Sequence, residues 1–354
     1  MAARLDQRRG AAKGIYQSLS RDLARSLAAR DQPLEHDWAF GNLRVRIRIW
    51  GSDHSPYVDA LEPWPEDSPV QPSFYINVVD AEACQIPWPG LTLEKNDFGR
   101  NRRLPRLSDA RHVCFALRTE KGLAIADLAQ GRAIVWLPSI ESVAAHERAA
   151  PFRWLAEHIA GVYHQSLLHC AAIGLKDTAA LILGPGGSGK STLALTALGE
   201  GWRYYGDDYV LVSGAPTPRC WRIYRSAKWV AAGAKHPDWL DPSSGYAADG
   251  AGQKRMLFVP PGSPALAQQG SAVGLLARPR IDVDSVAPDV TPLAARDATM
   301  AAVMSTMAQT ECPSAPVFPV MSAIARSVPS FDLRLGPGVQ ANLEALRPML
   351  QAVR

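Results

Sequence analysis

Cysteine is scarce in this chain and never closely paired. Cys84, Cys114, Cys170, Cys220 and Cys312 are five in 354 residues, odd in number and scattered, with no CxxC. That spacing argues against both a disulfide framework and a zinc site, and it suits a reducing compartment. Long apolar runs are lacking too, none approaching the ~18 residues of a membrane-spanning helix. The N-terminus has arginines but no continuous apolar stretch of the secretory kind. A soluble, cytoplasmic protein is therefore expected. Charge of one sign is also wanting: the formal net charge is only +4, too small by itself to imply nucleic acid or a membrane. Internal repeats and low-complexity tracts are absent. What remains is ordinary globular composition, 47% hydrophobic and 20% charged, in a chain long enough for one large or two ordinary domains.

Residues 1–31 hold seven Arg or Lys and three Asp, and Ile15, Leu19, Leu23 and Leu27 recur at helical spacing. This predicts an amphipathic helix with a basic face, either solvated or serving as a partner-binding arm. Leu43, Val45, Ile47 and Ile49 alternate with Arg44, Arg46 and Arg48, a strand with one apolar and one arginine face. Such a face is ordinarily solvated or salt-bridged, and the sharper alternative is a meeting place for an acidic substrate. Strands are predicted at 74–79, 112–117, 123–128 and 133–137, the last three joined as a meander through Glu120-Lys121-Gly122 and Gln130-Gly131. Residues 84–110 read as irregular, with a turn at Trp88-Pro89-Gly90. Residues 1–148 thus read as a small, mostly-β domain with an N-terminal helix, available for substrate recognition. Its tryptophans, Trp38, Trp50, Trp64, Trp88 and Trp136, read as packing rather than as a ligand box.

From 149 the pattern alternates. A helix is predicted at 151–167, strands at 168–173 and 179–183, a helix from Thr192, and a strand at 208–213. Residues 214–271 read as irregular. Then come a strand at 273–277, helices at 295–308 and 317–326, a strand at 331–335 and a terminal helix at 339–353. The expected fold class is α/β (α+β overall), with the catalytic domain at 149–354.

The chemistry concentrates in 181–213. Gly184-Pro185-Gly186-Gly187-Ser188-Gly189-Lys190-Ser191 fits G-x-x-x-x-G-K-[ST] between an apolar run and a helix-forming stretch. Gly184, Gly186, Gly187, Ser188, Gly189, Lys190, Ser191 and Thr192 are the candidate phosphate cradle, backbone N–H groups and helix dipole converging on one anion. Lys190 would bridge the β- and γ-phosphates, and the Ser191 hydroxyl would ligate Mg²⁺. The alternative is a glycine-rich turn that holds no nucleotide. No LSGGQ-like signature of transporter ATPases occurs, nor an N-K-x-D base-reading motif of GTPases. Instead Asp207-Asp208 follows Lys190 by 17 and 18 residues. Transfer of a phosphoryl group to a hydroxyl needs one carboxylate to take the proton and one to hold metal. Two neighbouring aspartates on an extended segment point to opposite sides and could divide those roles.

His169, 21 residues before Lys190 in LHCAAI, together with the phosphate loop and YGDDYVLV, resembles the catalytic domain of HPr kinase/phosphorylase and its shorter relatives. The resemblance covers roughly 166–213 specifically, extends weakly to about 350, and leaves out the N-terminal domain. It implies a nucleotide core like that of phosphoenolpyruvate carboxykinase, with ATP and Mg²⁺ as cofactors. It further implies Asp207 as general base, Ser191 and Asp208 as metal ligands, and His169 beside the aspartates. The acceptor it implies is a serine of a protein or of a ribosomally made peptide. Full-length HPr kinases carry an E-I-R-G-type signature about two dozen residues after the aspartates, where this chain reads WRIYRSAKWVAAG. HPr as acceptor and the reverse reaction are therefore not carried over. Lys254, Arg255, Arg278 and Arg280 are candidates for the cation that assists transfer. Family members include hexamers, so homo-oligomer assembly stays open. A small-molecule hydroxyl kinase and a nucleotide-binding regulatory module are the competing readings.

Overall fold

The computed structural model describes residues 2–27, 32–53, 55, 57–88, 91–99, 102–117, 122–230, 246–247, 254–260, 263, 266, 270–282, 284–310 and 316–353. Cys312, Pro89-Gly90, Glu120-Lys121 and the side chain of Lys254 lie outside the described residues. Contacts divide the chain into two units, one of Met1–Asp59 with Pro63–Leu155, the other of Ala60–Glu62 with Ala156–Arg354. The fold is mixed α/β.

In the first unit, strands β1 (Leu34–Phe40), β2 (Leu43–Trp50), β3 (Phe74–Asp80), β4 (His112–Ala116), β5 (Leu123–Asp127) and β6 (Arg132–Leu137) form one sheet. Its order is β1-β2-β3-β6-β5-β4, with β2, β3 and β6 parallel and the rest antiparallel. Helix α1 (Ala2–Leu27) buries Leu19 and Leu23 in one cluster with Cys114, Ile125 and Trp136. Short helices α2 (Ala81–Cys84) and α3 (Ala145–Ala149) follow β3 and β6 in sequence, and α4 (Arg153–Val162) comes next. The helix expected at 151–167 is thus shorter, because 166–168 leaves it as a strand.

The arginine face of β2 is consumed internally. Residues opposite one another in an antiparallel pair share a face, and β1 sets Glu35 against Arg48 and Asp37 against Arg46. Arg46 donates twice to Asp37 at 2.9 Å, Arg44 reaches Asp37, and Arg48 donates to Glu35 at 2.9 Å. Burial tends to raise the Asp37 pKa, but the hydrogen bonds from Arg46 and Arg44 outweigh it and bring it down to about 2. The idea that these arginines meet an acidic substrate is corrected: each has a carboxylate from β1 already.

The second unit contains β7 (Ser166–Leu168), β8 (Ala171–Leu175), β9 (Thr178–Ile182), α5 (Lys190–Gly199), β10 (Arg203–Gly206), β11 (Val210–Ser213) and β12 (Arg219–Trp221). After them come β13 (Ser226–Val230), β14 (Tyr246–Ala247), β15 (Lys254–Phe258), β16 (Ser271–Ile281), β17 (Asp289–Pro292), α6 (Ala295–Met307), α7 (Val317–Ser327), β18 (Ser330–Leu335) and α8 (Val339–Ala352). The large sheet runs β10-β8-β9-β16-β12-β11-β7, with β18 on β16 and β17 on β18. β9, β16 and β18 are parallel at its centre, and the apolar runs of β9 and β16 are covered from both sides. One core joins the sheet to α5 and α8 through Leu193, Leu275, Leu343 and Leu346; another joins it to α6 and α7 through Leu181, Leu276, Ala302 and Met321. The stretch 214–271 is more regular than expected: β12 extends the large sheet, and β13, β15 and β14 form a small one.

Residues Ala60–Glu62 join this unit through buried arginines. Arg222 donates to both Glu62 oxygens at 2.6 Å and to the Tyr204 carbonyl at 3.0 Å. Arg225 donates to the carbonyls of Leu61 and Val259 at 3.0 and 2.8 Å.

Candidate functional site

The site is built from a loop and a matched break in two strands. The glycine-rich loop leaves β9 at Ile182 and enters α5 at Lys190. Its turn needs left-handed backbone, with φ of +133° at Gly184, +80° at Gly187 and +95° at Gly189. Side chains disfavour that region by roughly 1–2 kcal/mol per residue, so glycine is required there. Gly189 is the N-cap of α5 and supplies no side-chain cap. The first-turn N–H groups of a helix have no intrahelical acceptor, so the α5 terminus presents open donors and the positive end of its dipole to the loop. The Ser188 hydroxyl oxygen is buried without a hydrogen-bond partner. Gly186 and Gly187 face open space. The Lys190 ammonium is buried, donating at 2.7 Å to the carbonyls of Gly184 and Pro185. Burial lowers its pKa.

The break lies where the β7–β8 and β10–β11 segments run side by side. They are paired at Leu168 with Val210 and again at Ala172 with Gly206, and the residues between are free of the ladder. His169 occupies the gap on one segment, and Asp207 and Asp208 occupy it on the other. This corrects two expected strands: 168–173 is interrupted at 169–170, and the strand after the aspartates starts at Val210. The interruption frees backbone for side-chain partners. His169 N–H donates to the Thr306 hydroxyl at 3.1 Å, and Lys228 N–H donates to Asp207 Oδ2 at 2.8 Å.

Across the gap the His169 Nε2 lies 3.2 Å from Asp208 Oδ1, and Lys228 Nζ lies 2.6 Å from Asp208 Oδ2. The other ring nitrogen, Nδ1, is 2.7 Å from the Ser305 hydroxyl, which is itself 2.7 Å from the Gly184 carbonyl. A carbonyl only accepts, so the Ser305 hydroxyl donates to Gly184, and its oxygen stands against the His169 ring. One chain of hydrogen bonds therefore runs from Lys190 through the loop's first carbonyl and Ser305 to His169 and Asp208.

The two aspartates are driven apart. Asp207 is buried; desolvation first, and the Asp208 charge second, push its pKa up to about 6, against the opposing pull of Lys228 and Ser191. Asp208 also feels desolvation, but its hydrogen bond to His169 and the Lys228 charge bring it down to about 2. Separated carboxyl pKa values in one cleft are the arrangement acid–base chemistry uses. Asp208 is thus an ionised oxygen donor, and Asp207 a carboxyl that exchanges its proton near neutral pH. Ser191, expected beside Asp208 as a metal ligand, lies near enough to Asp207 to oppose the rise in its pKa.

A cleft of about 640 Å³ opens at the Pro185–Gly186 end of the loop, between His169, Ser305 and the Arg278–Arg280 segment of β16. Of the four candidate cations, Arg278 and Arg280 line this cleft. Arg278 is engaged by Asp332 at 2.5 and 2.6 Å. Arg255 stands on β15, and it is Lys228 on β13 that carries positive charge to the aspartates. Sequence reasoning missed Lys228, Ser305 and Thr306. Lys228 had a local signal, a lone cation inside an apolar strand; Ser305 and Thr306 had none, since they reach His169 across 136 and 137 residues.

Among the described residues no group of three or more His, Cys, Asp or Glu is arranged to hold a metal by itself, and no helix is long and apolar enough to cross a membrane. No family model matches the chain, and no curated protein matches it.

Proposed function

We propose that this chain is an ATP- and Mg²⁺-dependent kinase that moves the γ-phosphoryl group to a hydroxyl, with a serine of a protein or peptide as acceptor. The observation that carries the reading is the aspartate pair, Asp208 held by His169 and Lys228 and Asp207 buried next to it, beside the glycine-rich loop and the uncapped N-terminus of α5. In that reading residues 149–354 form a catalytic domain resembling the HPr-kinase-like type, and residues 1–148 recognise the acceptor. Nucleic acid and membrane have no part in it, and the cytoplasm is its place.

Gly184 to Thr192 would hold the phosphates through the loop N–H groups and the α5 dipole. Lys190, now on the Gly184 and Pro185 carbonyls, would supply its charge to them. The donors suited to Mg²⁺ are hard oxygens, the Ser191 hydroxyl and the ionised Asp208 carboxylate. When bound there, the metal supplies charge neutralisation to the transferring group. Asp207 accepts the acceptor's hydroxyl proton as the new O–P bond forms and the bond to the bridging oxygen of ADP breaks. His169, oriented by Ser305, holds Asp208 in place. Lys228, on Asp208 at 2.6 Å, supplies positive charge for the phosphoryl oxygens.

The test is transfer from γ-labelled ATP with Mg²⁺ by the full chain, wild type against Asp207→Asn. Label in a serine-bearing acceptor that disappears with the substitution supports the reading. Transfer that survives it sinks the general-base assignment, and tight nucleotide binding with label in no acceptor favours a regulatory module.

A further inference from the structure

Two cavities open on the glycine-rich loop from opposite ends. One, of about 290 Å³, touches Gly189, Thr192 and Leu193 at the helix end. The larger, of about 640 Å³, touches Pro185, Gly186 and Ser188 at the end where Lys190 and His169 lie. The lysine that serves the terminal phosphates marks the reacting end, so the larger cavity faces the γ-phosphoryl group and takes the acceptor. This step rests on the kinase reading above.

The character of that cavity is specific. Its α6 wall is Met300, Ala301 and Met304, with Asp297 a turn earlier, Ser305 beside them and Ala308 at the C-cap. Met300 is 42% and Met304 64% exposed, large apolar side chains left in water beside a polar reaction centre. The same helix carries Ser305, whose hydroxyl touches both His169 and the Gly184 carbonyl, so the methionine wall is fixed in register with the chemistry. Thioether side chains offer a small polyol or sugar almost no hydrogen bonds. They are adaptable and pack well on unbranched or aromatic side chains. Two such side chains side by side at the cavity wall offer an apolar partner a surface to cover. The volume lies well inside the range for ligand pockets and exceeds what one serine fills.

The facing wall is charged. Arg278 is tied to both oxygens of Asp332, while Arg280 is 60% exposed and reaches Asp332 only at 3.4 Å. Asp297 also lines the cavity, so it rejects extra negative charge except where Arg280 can answer it.

We propose that the acceptor is a peptide segment whose serine is flanked by an apolar residue, seated on Met300 and Met304, with an acidic residue nearby paired to Arg280. The experiment is a positional-scanning library of serine peptides, phosphorylated by the full chain with γ-labelled ATP and Mg²⁺. The wild type should favour Leu, Met or Phe over Ser or Asn beside the acceptor serine by about tenfold, the discrimination one apolar contact supplies, and favour Asp or Glu at one other position. Met300→Gln/Met304→Gln, unbranched replacements at exposed positions, should raise the KM for the best peptide about tenfold and flatten only the apolar preference. Arg280→Ala should flatten only the acidic one. Peptides labelled without positional preference, or an apolar preference that persists in the double variant, would overturn the inference and leave the kinase reading standing. Label in a small polyol but in no peptide would overturn the peptide acceptor itself, and this inference with it.

Discussion

Replacing Asp207 with asparagine should make the protein more stable while removing its chemistry. Asp207 is buried and its pKa stands near 6, against an ordinary value of 3.8. A carboxyl whose folded pKa is raised binds its proton more tightly when folded. Its stabilising contribution is full below 3.8 and is lost as pH rises through about 6. At about 1.4 kcal/mol per unit, the gap corresponds to about 3 kcal/mol of cost at pH 8. Asparagine is isosteric, still accepts from Lys228 N–H through its oxygen, and ends the repulsion with Asp208. The variant's second unit should therefore melt about 6–12 °C higher at pH 8, using the usual 2–4 °C per kcal/mol for 150–250 residues. The measurement is calorimetry of the nucleotide-free chain in EDTA at pH 8 and pH 4. The difference between variant and wild type should shrink towards zero at the lower pH. A variant that is less stable at pH 8, or a difference that does not change with pH, would refute the burial argument.

Three further outcomes follow from the geometry. Lys190→Ala should abolish measurable ATP binding in calorimetric titration, and unchanged binding would refute the loop's assignment. Gly189→Ala places a side chain at φ +95° with its Cβ 2.6 Å from Leu335 Cδ1; about 1–2 kcal/mol of backbone strain is expected in denaturant unfolding, along with weakened nucleotide binding. Glu62→Ala strands the buried Arg222 guanidinium and should cost about 3–5 kcal/mol, whereas an apolar pair of similar volume at both positions should recover most of it.

The sequence announced the elements that carry strong patterns. The helices at 295–308, 317–326 and 339–353 reappear within a residue or two as α6, α7 and α8; α7 and α8 bury an apolar stripe, and α6 buries Ala298, Ala302 and Val303. β1 was illegible, since LEHDWAF places its acids on the face that pairs with the β2 arginines and reads as polar by itself. The parallel pairing of β2, β3 and β6 is a matter of topology, for which no local residue speaks. At the site the loop and the acid pair could be read because their chemistry is contiguous. The break that sets His169 against Asp208 could not, because two short strands around unpaired residues have the same composition as two longer ones. Ser305 belongs to the same class: a serine in a helix gives no sign that its hydroxyl spans a histidine and a loop carbonyl.

The central claim is that Asp207 takes a proton in the transfer step, and the pH dependence of kcat/KM tests it most directly, because that ratio reports ionisations of the free enzyme. Measured with γ-labelled ATP and a serine-bearing acceptor, kcat/KM should rise about tenfold per pH unit up to about 6 and then level off. A profile that is flat across that range, or that falls as pH rises, would contradict the account.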